Sequence, residues 1–374
     1  LIDKDGLPLR ASLQYNDSRA KVEASQLEER GGGASVLSER LGNWKGALSI
    51  PPKLLWLQRN EPEVLGQATS LLLGAHSFVA LRLCGALVTD GVTASTTGLL
   101  SSEDGMYCSS FLKDLLPECR LDWKAVLPAI VPADQSVGGI SEAVALKLGF
   151  PELAGAKVFH GCGDAGSATC GVGAGLPGVP YAYMGTSGWV AVTAARGFVS
   201  GGRPGLFTLE HPSDRSFVIA AAPTTTAGGC LDWMRRICCE DGRGGGDSTF
   251  EAEEGYAQVC REAAESEPGS RSLLFMPWLA GERSPFLDSN ARGGFVGLSL
   301  LTTRADMCRA VLEGVAYSYR ALLDAVLPGH AEHEGASIIV AGGPSKSSIW
   351  MQTMADVLQV RVEVAGEAQH AGAR

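Results

Sequence analysis

The sequence predicts an α/β protein of two domains, and three observations carry that expectation. The chain has 374 residues, of which 45% are hydrophobic and 19% charged, enough to bury two cores. Short apolar runs that stop at glycine alternate with stretches of helical spacing, the pattern of strands exchanged with helices. A Gly/Pro-rich break, "GLPGVP" at residues 175–180, divides the chain into domains at 1–178 and 179–374.

Residues 1–45 are polar and loop-rich. From Pro51 to Gly85, "PPKLLWLQRNEPEVLGQATSLLLGAHSFVALRLCG" alternates apolar and polar residues at helical spacing, with prolines as a start and glycine as a stop, so a helical layer is expected. "AKVFHG" at 156–161 is a short apolar run halted by glycine and reads as a buried strand. "PYAYMG", "SFVIAAAP" and "SIIVAGG" have the same form, and "RADMCRAVLEGVAYSYRALLDAVL" is a long helix before the last of them. The glycine run "EDGRGGGDS" at 240–248 follows no strand and is followed by no Lys-Ser/Thr, so it reads as a surface loop rather than a phosphate cradle.

A net charge of −10 without an extended basic face argues against nucleic acid and for a small-molecule substrate. The ten cysteines include an adjacent pair, Cys238 and Cys239, but no C-x-x-C, and the histidines lack metal-ligand spacing. Reduced thiols, a cytoplasmic location and no protein metal site are expected. No run approaches the ~20 apolar residues of a membrane helix, and no signal segment opens the chain. Because it opens on Leu1, an organellar leader stays open.

"VFHGCGDAGSATCG", 158–171, contains G-x-G-x-x-G at Gly161, Gly163 and Gly166. A dinucleotide site needs an acidic residue ~20 positions on for the ribose. The next acid after Asp164 is Glu210, so that reading is set aside. Asp164 is then either a helix N-cap or a functional carboxylate. Three segments share one design, an apolar strand running into glycines and small hydroxyl residues: "VFHGCGDAGSAT", "YAYMGTSGW" and "IIVAGGPSKSS". Such strand ends offer unobstructed N–H groups to phosphate oxygens or a nucleotide face. A hairpin turn at 185–188 and a plain strand end at Gly342–Gly343 are the structural alternatives.

At this level the sequence resembles the FGGY carbohydrate kinases, among them xylulose, gluconate, ribulose and glycerol kinases. The most specific match is "GGFVGLSLLTTRADMCRAVLE", 293–313, which fits the family's C-terminal signature throughout. "FMPWLAGERSPFLDSNARG" is similar to its "GER-x-P" and "ARG" run, "KLLWLQRNEPEV" to the second half of its N-terminal signature, and "GALVTDGVTAST" to the stretch that follows in xylulose kinases.

The resemblance implies an actin/Hsp70/hexokinase-like fold of two RNase H-like domains with a cleft between them, sugar on the first and ATP on the second. It makes Asp164 the catalytic base. It places Thr186 on a phosphate, with Gly185 and Ser187 as further donors, Gly297 on the nucleotide, Gly342 and Gly343 against the adenosine, and Ser347 at the base. Mg²⁺ would bridge the phosphates with few carboxylates. "LQYNDSRA" is similar to a sugar-binding stretch, making Asn16, Asp17 and Arg19 candidates, although a turn of solvated charges explains them equally. Trp233 is assigned to the core. The family's N-terminal "D-x-G-T" phosphate hairpin is expected to precede Leu1 and its last helix to continue past Arg374, so an interior fragment of low activity is expected.

The expected reaction is ATP-dependent phosphorylation of a small sugar, D-xylulose first. Kinases of another ketose, a sugar acid or a polyol, and an impaired nucleotide-binding relative, are the alternatives. A homodimer is compatible with the sequence.

Overall fold

The computed structural model describes residues 1–101, 103–198, 205–239 and 249–366. The expected surface loop at 240–248 and the end of the chain from 367 lie outside those residues. The chain divides into two compact units, one of Leu1–Ser167 with residues 195–198 and Phe207–Ile219, the other of Ala168–Ala194 with the chain from Ala220 on.

The first unit runs α1 (Lys21–Gly31), α2 (Ala34–Leu41), α3 (Ile50–Asn60), α4 (Pro62–Gly66), α5 (Ala75–Cys84), β1 (Val88–Asp90), α6 (Gly91–Ser95), α7 (Ser109–Leu115), α8 (Trp123–Val126), β2 (Ala129–Val131), β3 (Ser136–Gly139), α9 (Glu142–Leu148) and β4 (Lys157–Phe159). Its core is leucine-rich: Leu27, Leu37, Leu41, Leu54, Leu55 and Leu112 are all nearly or wholly withdrawn from solvent. Pro51 and Pro52 stand in the first turn of α3, where a missing N–H costs nothing and the fixed φ suits the helix. The expected helical layer is interrupted at Glu61, which takes φ −138° and ψ 53° because the following Pro62 disfavours helical geometry before it.

Two short pairings, β1 with β2 in parallel and β3 with β4 antiparallel across a bulge, complete the strands of this region. The run expected to form a buried strand at 156–161 is a strand only at β4, and only its Val158 is buried. Lys157 and Phe159 face outward. A run of three residues carries too little periodicity to separate a two-faced from a one-faced strand.

Continuing along the chain come α10 (Asp164–Gly171), β5 (Pro180–Met184), β6 (Gly188–Ala195), β7 (Phe207–Glu210), β8 (Phe217–Thr224), α11 (Gly228–Cys239), α12 (Thr249–Ala264), β9 (Leu274–Met276), β10 (Gly294–Val296), α13 (Arg304–Val326), β11 (Ser337–Ala341), α14 (Ser348–Leu358) and β12 (Arg361–Val364). In the second unit the strands lie in the order β12-β11-β5-β6-β8. The β11–β12 and β11–β5 pairs are parallel, and β5–β6 is an antiparallel hairpin. The continuous apolar character of β5 and β11 follows from burial on both faces.

Helix α13 packs against α11, α12, α14 and β9. A capping box starts it: Thr303 Oγ1 accepts from Asp306 N, and the Asp306 carboxylate accepts from Thr303 N at 2.9 Å, satisfying two donors that a bare helix end leaves open. Asp306 also accepts from Ser266 Oγ at 2.6 Å. Trp233 stacks on Phe275 with ring centres 5.7 Å apart, the core role expected of it. Among the described residues no helix is long and apolar enough to cross a membrane.

Candidate functional site

Asp164 is the first residue of α10 rather than its cap. The first helical bond is accepted by Gly163, from Ser167 N at 3.0 Å, and the exposed Asp164 carboxylate accepts only its neighbour's N–H among the described bonds, from Ala165 N at 2.9 Å. The carboxylate is therefore presented to solvent at the head of a helix.

The loop that presents it is fastened from beneath by Asp90. This side chain is fully buried and caps α6, Oδ1 accepting from Thr93 N at 2.8 Å. The same oxygen accepts from Gly163 N at 3.2 Å, and Oδ2 is 2.7 Å from His76 Nε2. Burial alone would raise the Asp90 carboxyl, but hydrogen bonds from His76, Thr93 and Gly163 hold it below the usual carboxylate range. Packing favours glycine at 163: a Cβ would meet Thr93 Oγ1 at 2.8 Å, so Thr93 would have to shift.

His160 completes this cluster. Its Nδ1 is 3.1 Å from Gly161 O, which fixes Nδ1 as the protonated nitrogen, and Nε2 is 3.0 Å from Ser77 Oγ. Burial pushes the imidazole down, so the ring is a neutral partner, although Nδ1 comes within 4.0 Å of Asp90 Oδ2.

Asn16, Asp17 and Arg19 lie in the loop before α1. Arg19 pairs with Asp17 at 2.8 Å and lies over the Trp56 ring at 4.9 Å. Asn16 and Arg19 are exposed. The two charges satisfy each other, as the turn reading allows.

In the second unit, a cavity of about 960 Å³ is bounded by the β5–β6 turn, α11, α12 and the start of α14. Four of the sequence candidates line it: Gly185, Thr186, Gly343 and Ser347. Ser347 caps α14 and donates to Cys260 Sγ at 3.3 Å. Gly342 lies behind the wall, with φ +109°, and a Cβ there would fall 2.0 Å from Met184 O, so only glycine lets β11 end so close to β5. Ser187 closes the turn, its carbonyl accepting from Gly185 N at 2.9 Å. Gly297, at the exposed end of β10, is not among the lining residues.

Sequence reasoning missed part of this wall. Gly228 and Gly229 open α11 and donate to the carbonyls of Gly185 and Thr186 at 2.8 and 3.0 Å. They follow strand β8 after three intervening residues, a form of the strand-then-glycine signal that singled out the other segments. Asp232 and Tyr256 were also missed. Burial alone would raise the Asp232 carboxyl, but Arg235 and Tyr256 hydrogen bonds hold it low.

The cavity suits a mononucleotide in size. Glycine turns, the exposed Thr186 and Ser347 and Ser348 give this stretch of wall little bulk, with the Gly185, Gly228 and Gly229 amides donating to protein oxygens. Asp232 is the carboxylate among the lining residues and is occupied by arginines, so a divalent ion here would depend on a ligand's own phosphates and on water.

Comparison with known proteins matches two family models, the N-terminal domain of the FGGY family of carbohydrate kinases over residues 1–171 and its C-terminal domain over 181–374. A xylulose kinase of Staphylococcus epidermidis is 30% identical over 376 residues, covering 97% of this chain and 67% of its own length. The chain thus spans about two-thirds of that relative. The structure of xylulose kinase from Rhodospirillum rubrum is similar with a TM-score of 0.81 and 28% identity, over 97% of this chain and 69% of that one. Gluconate kinase from Lactobacillus acidophilus gives 0.81 and 26%, over 99% and 70%.

Proposed function

The chain belongs to the FGGY family of carbohydrate kinases, with its actin/hexokinase-like two-domain fold, and is a phosphotransferase acting on a sugar hydroxyl; from that premise we propose that it phosphorylates D-xylulose to D-xylulose 5-phosphate with ATP. The carrying observation is that xylulose kinases are similar to it across nearly all of its length. On this reading residues 1–178 bind the sugar and 179–374 the nucleotide.

Asp164 accepts the proton of the attacking hydroxyl. Its exposure at the head of α10 supports that role, since a base must reach the proton within hydrogen-bond distance. Asn16, Asp17 and Arg19 supply polar contacts to the sugar. Thr186, with Gly185 and Ser187, steadies the phosphates, while Gly342, Gly343, Gly297 and Ser347 hold the nucleoside. Mg²⁺ carried on the phosphates offsets charge there.

The test is ADP release from ATP and Mg²⁺ with D-xylulose, ribulose, gluconate and glycerol in turn, beside Asp164→Asn. Preferential stimulation by D-xylulose, lost in Asp164→Asn, supports the proposal. Stimulation by another substrate instead moves the specificity to that compound, and stimulation that survives Asp164→Asn removes Asp164 as the base.

A further inference from the structure

Away from the nucleotide-sized cavity's glycine wall, three side chains from three helices converge: Cys238 on the last turn of α11, Glu262 on α12 and Cys308 near the start of α13. Cys308 is fully buried and Cys238 half-buried. The two sulfurs are 3.9 Å apart, Cys308 Sγ is 3.7 Å from Glu262 Oε2, and all three donor atoms lie within 4.8 Å of one another.

Those separations can be compared with the edges of a tetrahedral zinc site. With Zn–S near ~2.3 Å and Zn–O near ~2.0 Å, two sulfur ligands stand about 3.8 Å apart and a sulfur and an oxygen about 3.5 Å apart. The Cys238–Cys308 and Cys308–Glu262 edges match these to within a few tenths of an ångström, and the Cys238–Glu262 edge lies within 4.8 Å.

The surroundings orient the carboxylate as a metal site would. Glu262 Oε1 accepts from Arg304 Nη2 and from Gln258 Nε2, the latter at 3.1 Å, which turns Oε2 toward the cysteines. Arg304 Nη1 also reaches the carbonyl of Cys238 at 3.4 Å. Outer partners that hold a ligating group by its other atom are what set ligand direction in known metal sites. We propose that Cys238, Cys308 and Glu262 bind a thiophilic divalent cation of the Zn²⁺ class, with water as the fourth ligand at the half-buried Cys238 side, clipping the end of α11 to α12 and α13.

Two sulfur ligands and one carboxylate suit a thiophilic cation, whereas hard cations such as Mg²⁺ prefer all-oxygen sites. The other His/carboxylate cluster, His76–Asp90–His160, differs in kind: its facing atoms are already joined by the 2.7 Å hydrogen bond.

Co²⁺ reports such a site directly. Titration of the reduced full chain should give one equivalent with thiolate-to-cobalt charge transfer and the intense visible bands of a tetrahedral ion, displaced by one equivalent of Zn²⁺. Cys238→Ser and Cys308→Ala should abolish the charge-transfer band, and Glu262→Gln should weaken binding at least about 10-fold, as outer-sphere changes alone cost 10–100-fold. Cys170→Ser, at an exposed thiol outside the cluster, should leave it unchanged. Zn²⁺ should raise the thermal midpoint of wild type and not of Cys238→Ser, whose half-buried position keeps the fold, checked by circular dichroism. No tetrahedral cobalt spectrum in the reduced chain, or one that persists in Cys238→Ser, overturns the site. So does a Cys238–Cys308 disulfide forming in a chain that binds no metal when reduced.

Discussion

Replacing Asp90 separates a buried carboxylate that holds a loop from one that merely fills space. In Asp90→Ala, three donors lose their acceptor at once: Thr93 N, Gly163 N and His76 Nε2. The lost cap costs about 1 kcal/mol, and each further buried group left unpaired costs about 1–3 kcal/mol. His76 is partly exposed and recovers a water, so the cap and Gly163 N together cost about 2–4 kcal/mol. At roughly 2–4 °C per kcal/mol for a unit of this size, the thermal midpoint should fall by roughly 4–16 °C. Asp90→Asn keeps an oxygen for the two amides but loses the charge and puts an amide NH2 in place of the acceptor of His76, costing about 1–2 kcal/mol. The pH dependence has a definite sign. The folded carboxyl titrates below its unfolded value, so its stabilisation is complete above about pH 4 and is lost as pH falls through the folded value. The gap between wild type and Asp90→Asn should therefore shrink below about pH 4. The assay is thermal unfolding followed by circular dichroism at pH 7 and at steps down to pH 3. A midpoint for Asp90→Ala within 2 °C of wild type, or a gap that widens in acid, would refute the reasoning.

Asp164→Asn should lower sugar-stimulated ADP release by about 10²–10⁴-fold with an unchanged thermal midpoint, because the exposed carboxylate contributes only a local bond; a stable but fully active variant would contradict this. Gly342→Ala should destabilise by about 2–5 kcal/mol, from left-handed strain together with a Cβ set 2.0 Å from Met184 O, read as a lower urea midpoint. Asp306→Ala removes a cap and a Ser266 acceptor, about 1–3 kcal/mol. Ser266 and Thr303 bonds hold the Asp306 carboxyl down at about 2. Its contribution should survive to about pH 4 and disappear as pH falls toward 2, so acid titration of the wild-type/variant difference checks it.

The cavity was legible where the signal was local. A strand running into glycine and serine is contiguous in sequence and singled out the segments at 181–189 and 338–348, while the family resemblance named Gly185, Thr186, Gly343 and Ser347 within them. Gly228 and Gly229 carried the same signal after β8 and went unread. The support of Asp164 was not legible: Asp90, His76 and His160 are far apart in sequence and meet only when β1, α5 and the segment after β4 pack together. Likewise Cys238, Glu262 and Cys308 sit on three helices with no motif spacing. The break at Glu61 was readable from Pro62, whereas β4 misled because its three residues could not disclose that two of them face outward.

The turn between β5 and β6 is tied at Gly185 O and Thr186 O to the amides of Ala227, Gly228 and Gly229. Those amides are already committed to protein oxygens, so they behave as a hinge pin rather than as free donors. The hairpin tip and the start of α11 must then open as one body. In deuterium labelling the three amides should share a single opening rate, and any molecule settling against Thr186 should slow all three together, even those it never touches.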